Sequence, residues 1–360
     1  MGNLTKRLLG EGRTSRRIAW LACAVVALLL PLVIHQDYVI HVLITVGLYM
    51  ILSLSLNLVS GYAGQLSIGH AAFYGIGAYT TALLTLRLGW PFWAALPASG
   101  LIAFIFGILL GMPTLRLRGD YLAIVTLGFG EIVRLVFLNW TSLTRGPMGL
   151  PGIPAPSLWG FEFSSKASFY YLLMLLLALT VVFMRRIGDS EFGMHLLAVN
   201  SDEVAAESVG VNVFWSKLLA FGLSALFAGL AGAFYAVYIS FVSPDSFTFM
   251  DSITILAMVV LGGLASVPGV MIGAAFLAVI PEVLRFMSDY RMLFYGAVIV
   301  IMMIFRPTGF YGSQYRLRNA IMKNLKRRGL LAHHAQSDDT HPPLPPVAEP
   351  VAEALGDDAV

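Results

Sequence analysis

The sequence is poor in charged residues and almost free of cysteine. Only 12% of its 360 residues are Asp, Glu, Lys or Arg, whereas soluble domains carry about 25%. The low charge excludes an ordinary soluble domain. A hydrophobic content of 58%, arranged in repeated long apolar runs, instead predicts an all-α, polytopic membrane protein built as a helical bundle. The single cysteine, Cys23, excludes a disulfide framework and a cysteine cluster for metal.

Sequence motifs of catalysis are missing as well. The sequence contains no G-x-x-x-x-G-K-[ST] phosphate loop, no nucleophile elbow and no H-E-x-x-H motif. The pair His333-His334 stands without companion metal ligands. We therefore expect no enzyme activity, no cofactor, no metal ion and no nucleic-acid partner. Any active pumping needs a separate subunit that hydrolyses ATP.

Long apolar runs predict about ten membrane-spanning segments. They lie at residues 18–34, 38–58, 66–86, 92–111, 120–138, 168–184, 214–238, 252–266, 269–286 and 290–305. Basic residues decide one ambiguity, because Lys and Arg favour the cytoplasmic side and residues 306–328 carry seven of them and no acid. Splitting the run 252–286 at its glycine- and proline-rich stretch keeps this cluster in the cytoplasm.

Charge and apolar runs together divide the chain into three parts. Residues 1–17 form a basic cytoplasmic amino terminus, and residues 18–312 form the transmembrane domain. The run 18–34 is expected to be a retained helix, because no small-x-small cleavage site closes it. Residues 313–360 form a cytoplasmic tail that is first basic and then acidic. Its last part, 336–360, holds six acids and five prolines, which predicts disorder.

A polar, glycine-broken stretch interrupts the apolar runs between the second and third spans. It carries Asn57, Ser60, Gln65, Ser67 and His70. Polar groups at membrane depth are costly unless they are paired within the protein or line a cavity. One interpretation is a translocation path for a polar solute. The alternative is a glycine-rich helix contact followed by an interfacial loop.

A charged pair lies within the fifth predicted span. Glu131 and Arg134 are three positions apart, so one helical turn brings them together on one face, where they can neutralise each other. A pair that lines a path and a structural clasp between helices both fit this spacing. Glu131 joins the polar stretch as a candidate path residue.

The long loop 185–213 contains an acidic, alanine-rich segment. Ser201 or Asp202 can cap a short helix there, with acids in its first turn, and Gly210 can end it. Such a helix, fixed between two spans on the cytoplasmic face, suits docking to a partner. The alternative is a solvated amphipathic loop.

Several stretches taken together resemble the permease subunits of branched-chain amino-acid ABC importers, specifically the M-type partner of their two-permease pair. The stretches are residues 56–79, 115–134, 144–150, 192–236 and 261–276, with Arg306-Pro-Thr-Gly309 closing the core. The resemblance covers residues 38–312. It implies ATP-driven uptake of leucine, isoleucine and valine by alternating access, with this chain as half of the translocation path.

The resemblance also implies a set of partners. The loop around residues 192–211 would be a coupling helix that docks on an ATPase subunit, with Glu203, Ala205, Ala206 and Gly210 in its motif. A second, H-type permease, two ABC ATPases that bind the ATP and a periplasmic substrate-binding protein would complete the importer. It would lie in the bacterial inner membrane with both termini cytoplasmic. The ten-segment architecture would resemble that of vitamin B12-type importers.

Two departures from the family pattern and three rival functions accompany the resemblance. Residues 194–200 lack the arginines usual before Glu203, and Arg145 stands where a second glycine is usual. Urea and short-chain amide importers use similar permeases. A stand-alone proton-coupled transporter would use Glu131 and His70 as a relay, but it would not need the loop around Glu203. A structural scaffold is disfavoured by the polar stretch.

Overall fold

The computed structural model describes residues 36–283, apart from 115–116, 118, 159–160 and 164, and the isolated positions 31, 296–297 and 300. The predicted spans 18–34 and 290–305 fall outside this continuous part. The amino-terminal segment 1–17 and the tail 313–360 also lie outside the described residues.

The described chain is almost entirely helical. Its helices are α1 (Asp37–Asn57), α2 (His70–Leu88), α3 (Phe92–Thr114), α4 (Asp120–Asn139), α5 (Thr141–Thr144), α6 (Lys166–Gly188), α7 (Glu191–Ser201), α8 (Glu203–Ser208), α9 (Val213–Ile239), α10 (Phe249–Gly262) and α11 (Val267–Val283). Within the described residues, six helices with their flanking turns are long and apolar enough to cross a membrane. These features confirm an all-α, multi-pass membrane protein.

Helix α9 is the central element of the bundle. Of its most apolar stretch 78% is buried, against 22% for α4, so α4 lies at the periphery. Glycines let neighbouring helices approach α9 closely, because a Cβ at Gly77 of α2 would overlap the backbone of Gly229. A Cβ at Gly232 would likewise overlap the carbonyl oxygen of Tyr74. This small-residue packing is the usual means of helix association in membranes.

The polar stretch breaks the helical path where the sequence predicted a break. Helix α1 ends in a single π-helical turn, Leu58–Tyr62, which we call the π-turn. Residues 63–69 are not helical, and α2 begins at His70 rather than at the predicted residue 66. Gly64 has a φ of +68°, a backbone conformation that other residues adopt only at a cost.

Helices α10 and α11 form a tight antiparallel hairpin. A Cβ at Gly262 would lie 2.5 Å from the carbonyl oxygen of Gly269, and one at Gly273 would lie 2.5 Å from that of Met258. Four residues, Gly263–Ser266, separate the two helices; we call them the hairpin turn. The hairpin confirms that the run 252–286 is split, although the first helix starts at Phe249.

The two ends of the bundle differ in construction. One end carries α7, α8, the π-turn and the hairpin turn, and we call it the coupling end. The opposite end carries α5, two 3₁₀ turns (Gly146–Met148 and Pro244–Ser246) and two strand pairs. In these pairs β1 (Leu150–Pro151) runs antiparallel to β4 (Phe241–Val242), and β2 (Ser157–Leu158) runs antiparallel to β3 (Phe161–Glu162).

Candidate functional site

All five polar residues of the broken stretch are buried. Asn57, Ser60, Gln65, Ser67 and His70 are each 7% exposed or less. Two of them make clear polar contacts with other parts of the chain. The Oδ1 atom of Asn57 accepts a hydrogen bond from the backbone N–H of Ala265 at 2.9 Å. The Nε2 atom of His70 lies 2.7 Å from Oγ of Ser55.

Three polar atoms of the same stretch are unsatisfied within the described residues. They are Oγ of Ser60, Oε1 of Gln65 and Oγ of Ser67. Burying a polar group without a hydrogen bond costs about 1–3 kcal/mol, and native proteins keep few such groups. The three lie within eight residues of sequence, so unsatisfied polar groups are concentrated in this stretch.

Backbone contacts fix the start of α2 against two other helices. The backbone N–H of Ile68 donates to Oγ1 of Thr126 on α4 at 3.0 Å. The backbone N–H of Ala71 donates to Oγ of Ser252 on α10, also at 3.0 Å. Gly69 packs directly on the carbonyl of Thr126, where a Cβ would overlap. The first turn of α2 is therefore held at a junction of α4 and α10.

Glu131 faces this same junction. Together with Ile68, Phe247 and Phe249 it lines a small cleft between α2, α4 and α10. Nε of Arg134 lies 3.1 Å from Oε2 of Glu131, which confirms the ion pair predicted from their spacing. A longer contact of 3.8 Å joins Nη1 of Arg134 to Asp245. The arrangement places a carboxylate beside apolar and aromatic side chains near the first turn of α2.

The loop 185–213 holds two helices, α7 and α8, where one short helix was predicted. Oδ1 of Asp202 accepts from the backbone N–H groups of Val204 and Ala205 at 2.9 and 3.0 Å, so Asp202 is the N-cap of α8. Gly210 follows the helix with a φ of +86°. The predicted cap and end are both confirmed. Of the two motif alanines, Ala206 is buried and Ala205 is exposed.

Glu203 forms an ion pair within the chain. Its Oε1 atom lies 2.5 Å from Nζ of Lys217, and the Lys217 side chain is only 1% exposed. Sequence reasoning missed Lys217, although a signal was present, since it is the only charged residue in α9. A lysine inside an apolar helix needs a partner. The pair anchors α8 on the central helix of the bundle.

Asn200 is a second functional candidate that sequence reasoning missed. Its Nδ2 atom donates to the carbonyl oxygen of Gly61 in the π-turn at 3.1 Å. Its Oδ1 atom lies so close to Gly64 that a Cβ there would overlap it. No local pattern signals this contact, because 139 residues separate the two partners. It joins α7 to the polar stretch directly.

Arg145 lies at the opposite end of the bundle, between α5 and the first 3₁₀ turn. Its φ is +62°, so the position requires the left-handed conformation that glycine adopts freely. This backbone angle supplies a physical reason for a glycine to be usual there. Arg145 is exposed, as are the neighbouring Pro147 and Met148.

Comparison with known proteins identifies the family of this chain. Residues 38–303 match the family described as "Branched-chain amino acid transport system / permease component", which spans all of the site just described. The chain belongs to this family of permease components. The match confirms the family predicted from the resemblance and disfavours the stand-alone transporter and the scaffold. No solved structure matches the chain.

Individual members of the permease family resemble this chain over most of its length. It is 42% identical over 340 residues to the high-affinity branched-chain amino acid transport system permease protein LivM of Escherichia coli K12, covering 87% of this chain and 80% of that protein. The LivM of Salmonella typhimurium is 43% identical over 323 residues, covering 83% and 76%. The autoinducer 2 import system permease LsrC of Salmonella typhimurium is 28% identical over 269 residues, covering 69% and 72%.

Proposed function

We propose that this chain is the transmembrane permease subunit of an ATP-driven importer for leucine, isoleucine and valine. The family match over residues 38–303 supports a permease. The substrate class follows from the two LivM proteins, whose identity to this chain exceeds that of LsrC by 14 or more percentage points. Urea, short-chain amides and autoinducer 2 are the competing substrates that an uptake assay has to exclude.

The importer would contain several further subunits. A second, H-type permease would supply the other half of the path, and two ATPase subunits would bind and hydrolyse the ATP. A periplasmic substrate-binding protein would deliver the amino acid and carry most of the selectivity. The complex would lie in a bacterial inner membrane with both termini of this chain cytoplasmic, and its permease would have the ten-segment, vitamin B12-type architecture.

The position of Glu131 and Arg134 is the observation that supports a translocation path beside α4. The pair lies near the middle of the least buried spanning helix, with side chains 37% and 26% exposed. Ionised groups at the centre of a bilayer avoid lipid and face a protein interior or an aqueous cavity. In the importer this side of α4 would therefore face the second permease across the path.

Nearby groups suit a zwitterion with an aliphatic side chain. Such a solute needs an apolar wall and a few polar groups. The apolar surface next to Glu131 comes from Ile68, Phe247 and Phe249. The polar stretch from Asn57 to His70 would supply the hydrogen-bonding groups. A path of this kind binds its solute only weakly, since conduction requires release at each step.

The coupling end would dock on the ATPase through α8. Val204 and Val209 expose 69% and 77% of their surface, an arrangement typical of a surface that a partner covers. Ala205 lies between them and is also exposed, so a partner can approach the backbone closely. Glu203 would contribute by holding α8 on Lys217, while Ala206 packs inward and Gly210 turns the chain back towards α9.

Transport by reconstituted complexes tests the function. We expect ATP-dependent accumulation of labelled isoleucine in proteoliposomes that hold both permeases and both ATPases with the binding protein present. Urea and autoinducer 2 should not accumulate. Uptake driven by an imposed proton gradient without ATP would contradict the proposal and favour a secondary transporter.

Two substitutions test the path. Gln65→Leu and Ser67→Leu should lower the uptake rate while leaving the affinity of the binding protein for substrate unchanged. Ser142→Leu, an exposed serine at the opposite end, is the matched control and should transport normally. If Gln65 and Ser67 only pack helices, the two variants should instead lose melting temperature in detergent. Normal transport by both variants would remove the polar stretch from the path.

A further inference from the structure

The coupling end contains an unbroken series of tight polar contacts between α7 and the hairpin turn. It begins at Asn200 on α7, passes through the π-turn and ends at Ala265. Its two hydrogen bonds measure 3.1 and 2.9 Å. Both bonds connect elements that are distant in the sequence, so they link the cytoplasmic helices to the end of the membrane hairpin.

Two glycines allow the segments of this series to pack in direct contact. A Cβ at Gly61 would overlap Oδ1 of Asn57 and would lie 2.5 Å from the backbone nitrogen of Ala265. A Cβ at Gly64 would overlap Oδ1 of Asn200. Because close-packed interiors do not deform continuously, a displacement of α7 cannot be absorbed at the π-turn and has to be passed on.

The π-turn itself is an unusual link. A π-helical turn is rare and frequently lies at functional sites. Here it occupies the last five residues of the helix that begins as α1, Leu58–Tyr62, and all five are buried. Tyr62 also packs its hydroxyl on Gly188 at the end of α6, since a Cβ there would lie 2.6 Å from the oxygen.

The far end of the series holds a strained residue. Ala265 has a φ of +59°, which costs a residue with a Cβ about 1–2 kcal/mol. Such conformations persist where the surroundings fix them, and the hydrogen bond to buried Asn57 is one contact that holds Ala265 in place. Loss of that bond removes a contact from a turn whose backbone conformation Ala265 does not favour.

We propose that Asn200 and Asn57 are positioning residues that pass movement of α7 through the π-turn to the hairpin turn during transport. This proposal rests on the proposed function, because it assumes that an ATPase moves α7 and α8. The hairpin turn would follow α7 as one unit, so that ATP binding repositions the ends of α10 and α11.

Paired substitutions in the complete importer test the proposal. Asn200→Asp keeps the shape of the side chain but replaces its amide donor with a carboxylate oxygen. Asn57→Leu removes the amide acceptor and keeps a similar side-chain volume. Each should lower uptake per ATP hydrolysed at least threefold while ATP hydrolysis continues. The double variant should be no worse than the more severe single variant, since both break one series. Ser201→Ala, next to Asn200 on an exposed position, is the matched control and should couple normally.

The outcomes separate the possible roles. An unchanged uptake-to-hydrolysis ratio in both single variants would overturn the proposal, as would losses that multiply in the double variant. A contact between Asn200 and the ATPase would show multiplying losses and weaker assembly. A wild-type complex without ATP-dependent uptake would instead refute the proposed function.

A distance measurement tests the same proposal without transport. Spin labels at Ser201→Cys and Leu264→Cys, on a Cys23→Ser background, report the separation of α7 and the hairpin turn by pulsed electron resonance. The separation should stay the same in ATP-free and ATP-bound complexes, and Asn57→Leu should broaden its distribution. A separation that changes on ATP binding, or an Asn57→Leu distribution as narrow as the parent's, would contradict the proposal.

Discussion

The coupling end and the opposite end of this bundle are both rich in glycine, but they use it differently. At the coupling end Gly61 and Gly64 are crowded by side chains from distant parts of the chain. At the opposite end Gly152 has a φ of +78° with nothing near the place of a Cβ. Gly61 and Gly64 depend on close approach between elements, whereas Gly152 depends on the backbone angle of a local turn. Substitution should therefore be costly at Gly61 and Gly64 and milder at Gly152.

The largest effect is expected at the ion pair of the coupling end. Glu203→Gln leaves Lys217 buried without a charged partner, and breaking such a pair costs about 3–5 kcal/mol. The melting temperature of the purified complex should fall sharply. Lys217→Met in the same chain should restore most of the loss, because it removes the buried charge. A melting temperature unchanged by Glu203→Gln would show that the pair contributes nothing to stability.

A smaller but still large effect is expected at the π-turn. Gly61→Ala places a Cβ against Asn57 and Ala265, and overpacking of this kind costs about 1–3 kcal/mol. The matched control is Gly128→Ala on α4, where nothing lies within 4 Å of the added atom. Thermal unfolding in detergent should separate the two variants, with the control equal to the parent or higher. Equal melting temperatures for both would remove the contrast between crowded and open glycines.

At the opposite end, the loss of stability on substituting Gly152 should come from backbone strain alone. Gly152→Ala introduces a side chain where φ is +78° and space is open, so the expected loss is about 1–2 kcal/mol. ATP-dependent uptake should stay normal, in contrast to substitutions at the π-turn. Impaired uptake with unchanged stability would show that this turn has a functional contact after all.

The smallest expected effect is a gain in stability. Arg145→Gly removes the strain of a left-handed conformation, which stabilises the folded chain by about 1–2 kcal/mol. It also adds conformational freedom to the unfolded chain, which destabilises the fold by about 0.5–1 kcal/mol. The net change should be a slight rise in melting temperature. A fall would mean that the exposed arginine makes a stabilising contact that outweighs its backbone strain.

Local patterns predicted the local features of this protein. The glycine- and proline-rich stretch predicted the break between α10 and α11, and the spacing of Glu131 and Arg134 predicted their ion pair. Asp202 was predicted as a possible cap for the same reason, since a cap depends on its next three residues. Each of these features is decided by residues within one or two helical turns.

The contacts between distant elements could not be predicted in this way. Asn200 was one polar residue among many in the loop, and nothing near it in the sequence indicates Gly61 as its partner. Asn57 was recognised as a candidate, but its acceptor role at the hairpin turn depends on how α1 packs beside α10. The ion pair of Glu203 with Lys217 likewise required the fold, because the charge of Lys217 could be read from the sequence but its neighbour could not.

The hairpin turn has a consequence for how the protein is made. Gly263, Ala265 and Ser266 of the turn are buried, so their peptide groups need hydrogen-bond partners within the protein. Asn57, which receives the Ala265 N–H, leaves the ribosome 208 residues earlier. The acceptor is thus already part of the chain when the turn is synthesised.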